Sequence, residues 1–212
     1  MIKSKLATEV YDFGDKNSNP RNQKVSRITI HHMAGNMGAL ACAKMHYNGN
    51  SLSANYYIGS DGVICAGVSE DRRAWTSGNR PNDYSAITIE VANSGGGPEW
   101  RVSDKAYNAL IALCADICER YGIAPKYTGN PDGTLTIHRM FQNTDCPGAY
   151  LIEKHEEGII ERDIISKMGG TATGKLYRVQ CGAFAVYDNA VRQRDKLRDL
   201  GFKDAFIAEV EG

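Results

Sequence analysis

An α/β domain is the fold class the sequence predicts, and three observations carry it. "VSRITIHHMAG", "SAITIEVAN" and "TLTIH" are short runs rich in β-branched residues, each closing on polar or glycine-containing loops, as buried strands do. Over residues 103–121, Ala106, Leu110, Leu113, Cys114, Ile117 and Tyr121 recur at helical spacing. Strands alternate with helices along the chain, which is the pattern of layered α/β architecture.

The elements follow in order. After a polar leader, Val25, Ile28 and Ile30 mark a strand that places His31 and His32 at its C-terminal end, with Gly35 as the stop. "SANYYIGSDGVICAGV" reads as two β segments joined through Ser60, Asp61 and Gly62, where the Asp-Gly pair suits the positive φ of a tight hairpin. "SAITIEVAN" is a further strand. The helix over 103–121 starts near Asp104 and stops at Gly122, which accepts the left-handed conformation. "TLTIH" predicts another strand, and 149–168 predicts one helix with a polar outer face. "MGGTATG" has the small-residue composition of a linker, so the expected divisions are a main domain at 1–167, a linker at 168–174 and a tail at 175–212. In the tail, Tyr177, Val179 and Cys181 alternate, a helix begins at Asp188 and stops at Gly201, and Phe206, Ala208 and Val210 alternate again. This predicts a small β-α-β unit.

Composition excludes several partners. In 212 residues, 42% hydrophobic content is enough for a packed core. Lys and Arg total 25, as do Asp and Glu, so no net positive field exists to hold nucleic acid. No apolar run approaches membrane-spanning length and the N-terminus lacks a secretory apolar core, so the expectation is cytoplasmic synthesis without membrane insertion. Six cysteines are too sparse for a disulfide framework; Cys42, Cys65, Cys114 and Cys118 read as small buried hydrophobes.

Chemistry gathers at three strand ends: His31 after "ITI", Glu90 within "ITIEV" and His138 after "LTI", with Cys146 on the loop beyond. Carboxyl edges of open sheets collect ligands, so these groups are expected to converge. Seven residues separate His138 from Cys146, which matches no close metal-ligand pairing. That spacing leaves a metal site, a nucleophile with its base, and two unrelated side chains all open. A carboxylate among Ile87, Ile89 and Val91 needs a polar partner or a task. His32 points to the opposite strand face and reads as packing, while His46 and His155 read as surface residues.

In this order, "ITIHHMAG", "SANYYIGSDGVICAGV", "AWTSG", "SAITIEVAN" and "IHRMFQNTDCPG" resemble the zinc N-acetylmuramoyl-L-alanine amidases of peptidoglycan recognition protein-like fold, particularly phage endolysins. The resemblance covers residues 25–165 and implies a mixed central β-sheet flanked by helices. It implies cleavage of the amide between N-acetylmuramic acid and the stem peptide of bacterial peptidoglycan, after release of the enzyme to the wall. It also implies Zn2+ held by His31, His138 and Cys146, with a fourth position left for water and Glu90 as general base. Relatives in other branches carry a tyrosine where this chain has Ala54 and a lysine where it has Thr144. Thr144 therefore occupies the family's oxyanion-stabilising position. Trp75, Asn55 and Asn93 are expected on the substrate side.

Two other readings compete. A recognition module of the same fold would bind peptidoglycan without cutting it, but such relatives generally lose the metal-binding cysteine that this chain keeps. Thiol hydrolysis by Cys146 with His138 as base would leave His31 idle.

The tail resembles the first half of a sporulation-related repeat domain, a glycan-binding module, through the strand ending Gly182-Ala183-Phe184, the helix and the Gly201-Phe202 turn. So short a unit struggles to close a core alone, and two of them joined edge to edge would cover their apolar faces. We expect a dimer by light scattering of the full chain at micromolar concentration; a monomer would overturn the pairing.

Overall fold

The computed structural model describes residues 1–49, 51–169, 180–202 and 205–209. The chain divides into two compact units, Met1–Ala172 and Thr173–Gly212. The first contains β1 (Glu9–Val10), β2 (Ser18–Pro20), β3 (Arg27–His32), α1 (Ala39–Asn48), β4 (Tyr56–Ile58), β5 (Ile64–Ala66), β6 (Arg72–Ala74), α2 (Arg80–Ser85), β7 (Ala86–Val91), α3 (Asp104–Tyr121), β8 (Leu135–Ile137), α4 (Ala149–Glu156) and α5 (Ile159–Lys167). Six strands form one sheet in the order β1-β5-β4-β7-β3-β8, and β2 pairs separately with β6. Only β4 and β5 run antiparallel within the six, which makes the sheet mixed.

The two faces of this sheet differ in kind because side chains alternate along each strand. Register sets Ile28 beside Ile87 and Leu135, and Ile30 beside Ile89 and Ile137. Tyr56 and Ile58 continue that face on β4. They pack with Leu110, Leu113 and Ile117 of α3 and Ile160 and Ile164 of α5 in one buried cluster. Each sealed aliphatic side chain contributes about 2 kcal/mol. The intervening residues, Thr29, His31, Thr88, Glu90, Tyr57 and Thr136, share the other face. Stability therefore rests chiefly on one side of the sheet, and the other side is free to carry polar chemistry.

Local signals account for most element ends. The Ser103 hydroxyl accepts the Ala106 amide at 3.2 Å, so Ser103 is the α3 cap and Asp104 the first helical residue, as expected. Gly122 closes α3 at φ 64°. Asp61 accepts the Val63 amide at 3.0 Å in the expected β4–β5 hairpin. The single helix expected over 149–168 is two, because Gly158 adopts φ 67° between α4 and α5. The polar leader is not loose: Phe13 is buried beside Tyr57, Cys65, Cys42 and Ala39. Cys42, Cys65, Cys114 and Cys118 are buried and free, as expected. Among the described residues no helix is long and apolar enough to cross a membrane.

Two histidines depart from the surface reading. His155 is 1% exposed and stacks on Tyr127 at 4.7 Å, and burial drives its pKa down to about 3. His46 is half-buried, with Nδ1 3.2 Å from the Tyr57 hydroxyl.

In the second unit, α6 (Tyr187–Asp199) is capped by the backbone of Val186, with Asp188 inside its first turn, and Gly201 follows at φ 98°. Residues 205–209 carry no strand. Most of the strand expected at 177–181, Val210, and linker positions 170–174 lie outside the described residues.

Candidate metal centre

The site lies on the polar face, at the carboxyl ends of β3, β7 and β8. Register places His31 directly beside Glu90, and Glu90 beside Tyr57 on its other flank. Ile30 pairs with Ile137, so His138, one residue beyond β8, comes up beside His31. Their ring centroids are 4.5 Å apart. Cys146 returns over this edge on the loop after β8. Its sulfur lies 3.8 Å from His31 Nδ1 and accepts the His32 amide at 3.3 Å, while its carbonyl accepts the Arg139 amide at 3.1 Å. Gly148, at φ 89°, lets the loop leave against Trp100, where a Cβ would collide with the indole side chain.

One ligand atom each from His31, His138 and Cys146 falls within 4.8 Å of the others. Two imidazoles and a thiolate are the donor types of a tetrahedral zinc site with one open position. The fit has a second support: His31 Nε2 and Glu90 Oε2 are buried without hydrogen-bond partners, and buried polar atoms ordinarily have one. Burial, then the neighbouring His138 and His32, hold His31 well below the usual imidazole range. Burial also lowers His138, with the Ser77 backbone hydrogen bond acting against it. Both rings are thus neutral and able to coordinate. Burial, reinforced by Glu90, pushes the Cys146 thiol up, and the His32 amide partly offsets this. Burial pushes the Glu90 carboxyl up to about 8.

The remaining expected residues divide. Thr144 lies on the loop that carries Cys146, half-buried, and its hydroxyl accepts the Cys146 amide at 3.2 Å. Asn93 is fully buried; its amide donates to the Trp100 carbonyl at 2.8 Å, so it secures the loop that carries Trp100. Trp75 is half-buried, with its indole N–H on Asn19 at 2.8 Å. Asn55 is not brought to a substrate face. It is 0% exposed and its amide donates to the carbonyls of Val68, Ser69 and Arg72, while its oxygen accepts the Thr88 amide at 3.1 Å. Those bonds knit β4 to β7 and the loop before β6. His32 packs as expected, edge-on to Trp100 at 5.0 Å. Trp100 itself was legible only as a lone tryptophan behind "SGGGPE".

Fold and site define an α/β protein with a metal-competent cluster beside a buried carboxylate, the donor types of an open metal site. The model of the N-acetylmuramoyl-L-alanine amidase family matches residues 21–149, and the chain belongs to that family. A SPOR domain model matches residues 173–212. Among solved structures, PlyL is similar at 20% identity and a TM-score of 0.58, over 73% of this chain and 95% of that one. The PlyG catalytic domain is similar at 16% identity and a TM-score of 0.61, over 79% and 100%. The N-acetylmuramoyl-L-alanine amidase LysC from Clostridium intestinale URNW is similar at 20% identity and a TM-score of 0.50, over 77% and 99%. Identities this low speak for the shared fold. No curated protein matches the chain.

Proposed function

We propose that the chain is a zinc-dependent endolysin-type amidase that hydrolyses the bond between N-acetylmuramic acid and the L-alanine of the stem peptide. The observation that carries this reading is the convergence of His31, His138 and Cys146 beside the unpartnered Glu90 carboxylate. Bound there, zinc would supply a Lewis acid that activates water and polarises the scissile carbonyl. Glu90 accepts the proton from the attacking water and returns it to the leaving amine of alanine.

Thiol hydrolysis fits the geometry less well. The Cys146 sulfur meets Nδ1 of His31, the histidine that route leaves idle, at 3.8 Å, and a buried thiol pushed upward in pKa is the opposite of an activated nucleophile. The SPOR match supports attachment of the tail to peptidoglycan glycan strands. The proposal extends to a phage or prophage origin, with synthesis in the bacterial cytoplasm and action on the wall after release, on the strength of the motif resemblance to endolysins.

Mass spectrometry of digested walls tests the assignment. Amidase cleavage yields stem peptides with a free N-terminal alanine and glycans with free lactyl carboxyls. New reducing sugar ends would overturn it, as would bound but uncut walls, the latter in favour of a recognition module.

A further inference from the structure

We infer that Asp83, on the short helix α2, is a positioning residue for the metal ligand His138, acting through Ser77. This rests on the reading that His31, His138 and Cys146 hold zinc. Asp83 is 1% exposed. Its Oδ1 accepts the Ser77 hydroxyl at 2.6 Å and the Ser77 amide at 3.2 Å, and its Oδ2 accepts the Thr76 amide at 3.3 Å. From the same helix, Asn82 donates to the Ser77 hydroxyl at 3.2 Å. Ser77, itself 0% exposed, is thus fixed from the α2 side at both amide and hydroxyl. Its backbone in turn acts on the His138 ring, holding its pKa up against the lowering that burial causes.

The contact between these segments has independent geometric support. Gln142, on the turn that His138 opens, donates to the Gly78 carbonyl at 3.4 Å. A cavity lined by Asn79 and Asn82 on one side and Met140 and Phe141 on the other brings the start of α2 against the same turn. Beneath the ligands the network closes on itself. Asn82 donates to the Thr29 hydroxyl at 3.0 Å, and Thr29 and Thr136 share a hydrogen bond at 2.9 Å. Thr29 and Thr136 stand two residues before His31 and His138 on the same strand face. The helix therefore reaches the floor under both histidines, and at His138 it does so through a carboxylate.

A carboxylate is an expensive way to close a turn that neutral groups close elsewhere, because its desolvation must be offset by several donors. Its effect here is directional. A ligating histidine is oriented by the partner of its other ring nitrogen, and loss of such partners typically weakens metal binding about 10–100-fold. Asp83 fixes the residue that supplies this partner, so the His138 ring is set before metal arrives.

Zinc affinity, measured by competition with a chromophoric chelator, tests the inference on the full chain. Asp83→Asn removes an acceptor and introduces a donor facing two amides. Binding is expected to weaken about tenfold or more, with turnover falling more than KM rises. The His138 imidazole N–H resonance of the zinc form should shift or exchange faster in nitrogen-15 spectra. Equal losses of thermal stability with and without zinc, at unchanged affinity and an unchanged imidazole signal, would reduce Asp83 to a turn closure and overturn the proposal. Should Asp83→Asn fail to fold, Ser77→Ala deletes the hydroxyl's bonds to Asp83, Asn82 and Asn79 and leaves the backbone; a several-fold weaker affinity supports the proposal and wild-type affinity overturns it. Absence of zinc binding in the wild-type chain would defeat the metal reading itself, a result distinct from unchanged affinity in the variants.

Discussion

Replacing Cys146 by serine, His138 by alanine, or stripping metal with a strong chelator is expected to abolish wall hydrolysis while leaving the fold standing. Two arguments support the separation. All three candidate ligands sit at the edge of the polar face, whereas the core of Ile28, Ile30, Ile87, Ile89, Leu110, Leu113 and Ile117 lies on the other. An exchange at the edge leaves that packing intact. With only two donors left, the open tetrahedral set is incomplete and affinity collapses. Chelated wild-type protein should recover on addition of about one equivalent of zinc per chain. Metal analysis with wall-clearing assays reads both quantities, and full activity in metal-free protein would refute the metal reading and revive the thiol route.

How much of this was legible in the sequence depends on periodicity. His31, Glu90 and His138 each stand two residues after a threonine in an otherwise aliphatic strand, so the period of two by itself announces a polar face. Their convergence follows from strand ends gathering at one edge. Asn55 misled because a polar residue beside a strand does not reveal whether its amide faces substrate or backbone; here three carbonyls take its donors. His155 misled for a related reason, since the acidic flanks of "EKHEEG" say nothing about Tyr127, which arrives from another part of the chain. The two-residue strand β1 is too short to show any period. Nor does "RPNDYS" disclose that Asn82 and Asp83 turn inward beneath the histidines.

Glu90→Gln is expected to keep zinc near stoichiometry and lower turnover by on the order of a hundredfold or more, because it preserves shape and removes the proton acceptor. Loss of zinc in this variant would instead make Glu90 a ligand or its support. The same exchange carries a stability signature of opposite sign. In the metal-free chain the Glu90 carboxyl titrates at about 8, against 4.5 for the unperturbed group, with burial as the cause. Between those values the folded state holds a proton that the unfolded state has released, so stability falls as pH rises from 4.5 towards 8. At neutral pH the loss amounts to roughly 3 kcal/mol. Glutamine has no such titration. The metal-free variant should therefore melt on the order of 5–10 °C above metal-free wild type near pH 7, and the two should converge as pH approaches 4.5, where wild type is also protonated. Zinc should narrow the gap at neutral pH, since a dication beside the carboxylate favours its charged form. Thermal melts across this range, with and without metal, separate the outcomes. Coincident curves at every pH would show that Glu90 bears no burial cost and is solvated in the free enzyme. A gap that opens only in the metal-free chain and only above pH 4.5 would identify a carboxylate kept in an unfavourable place for its part in the reaction.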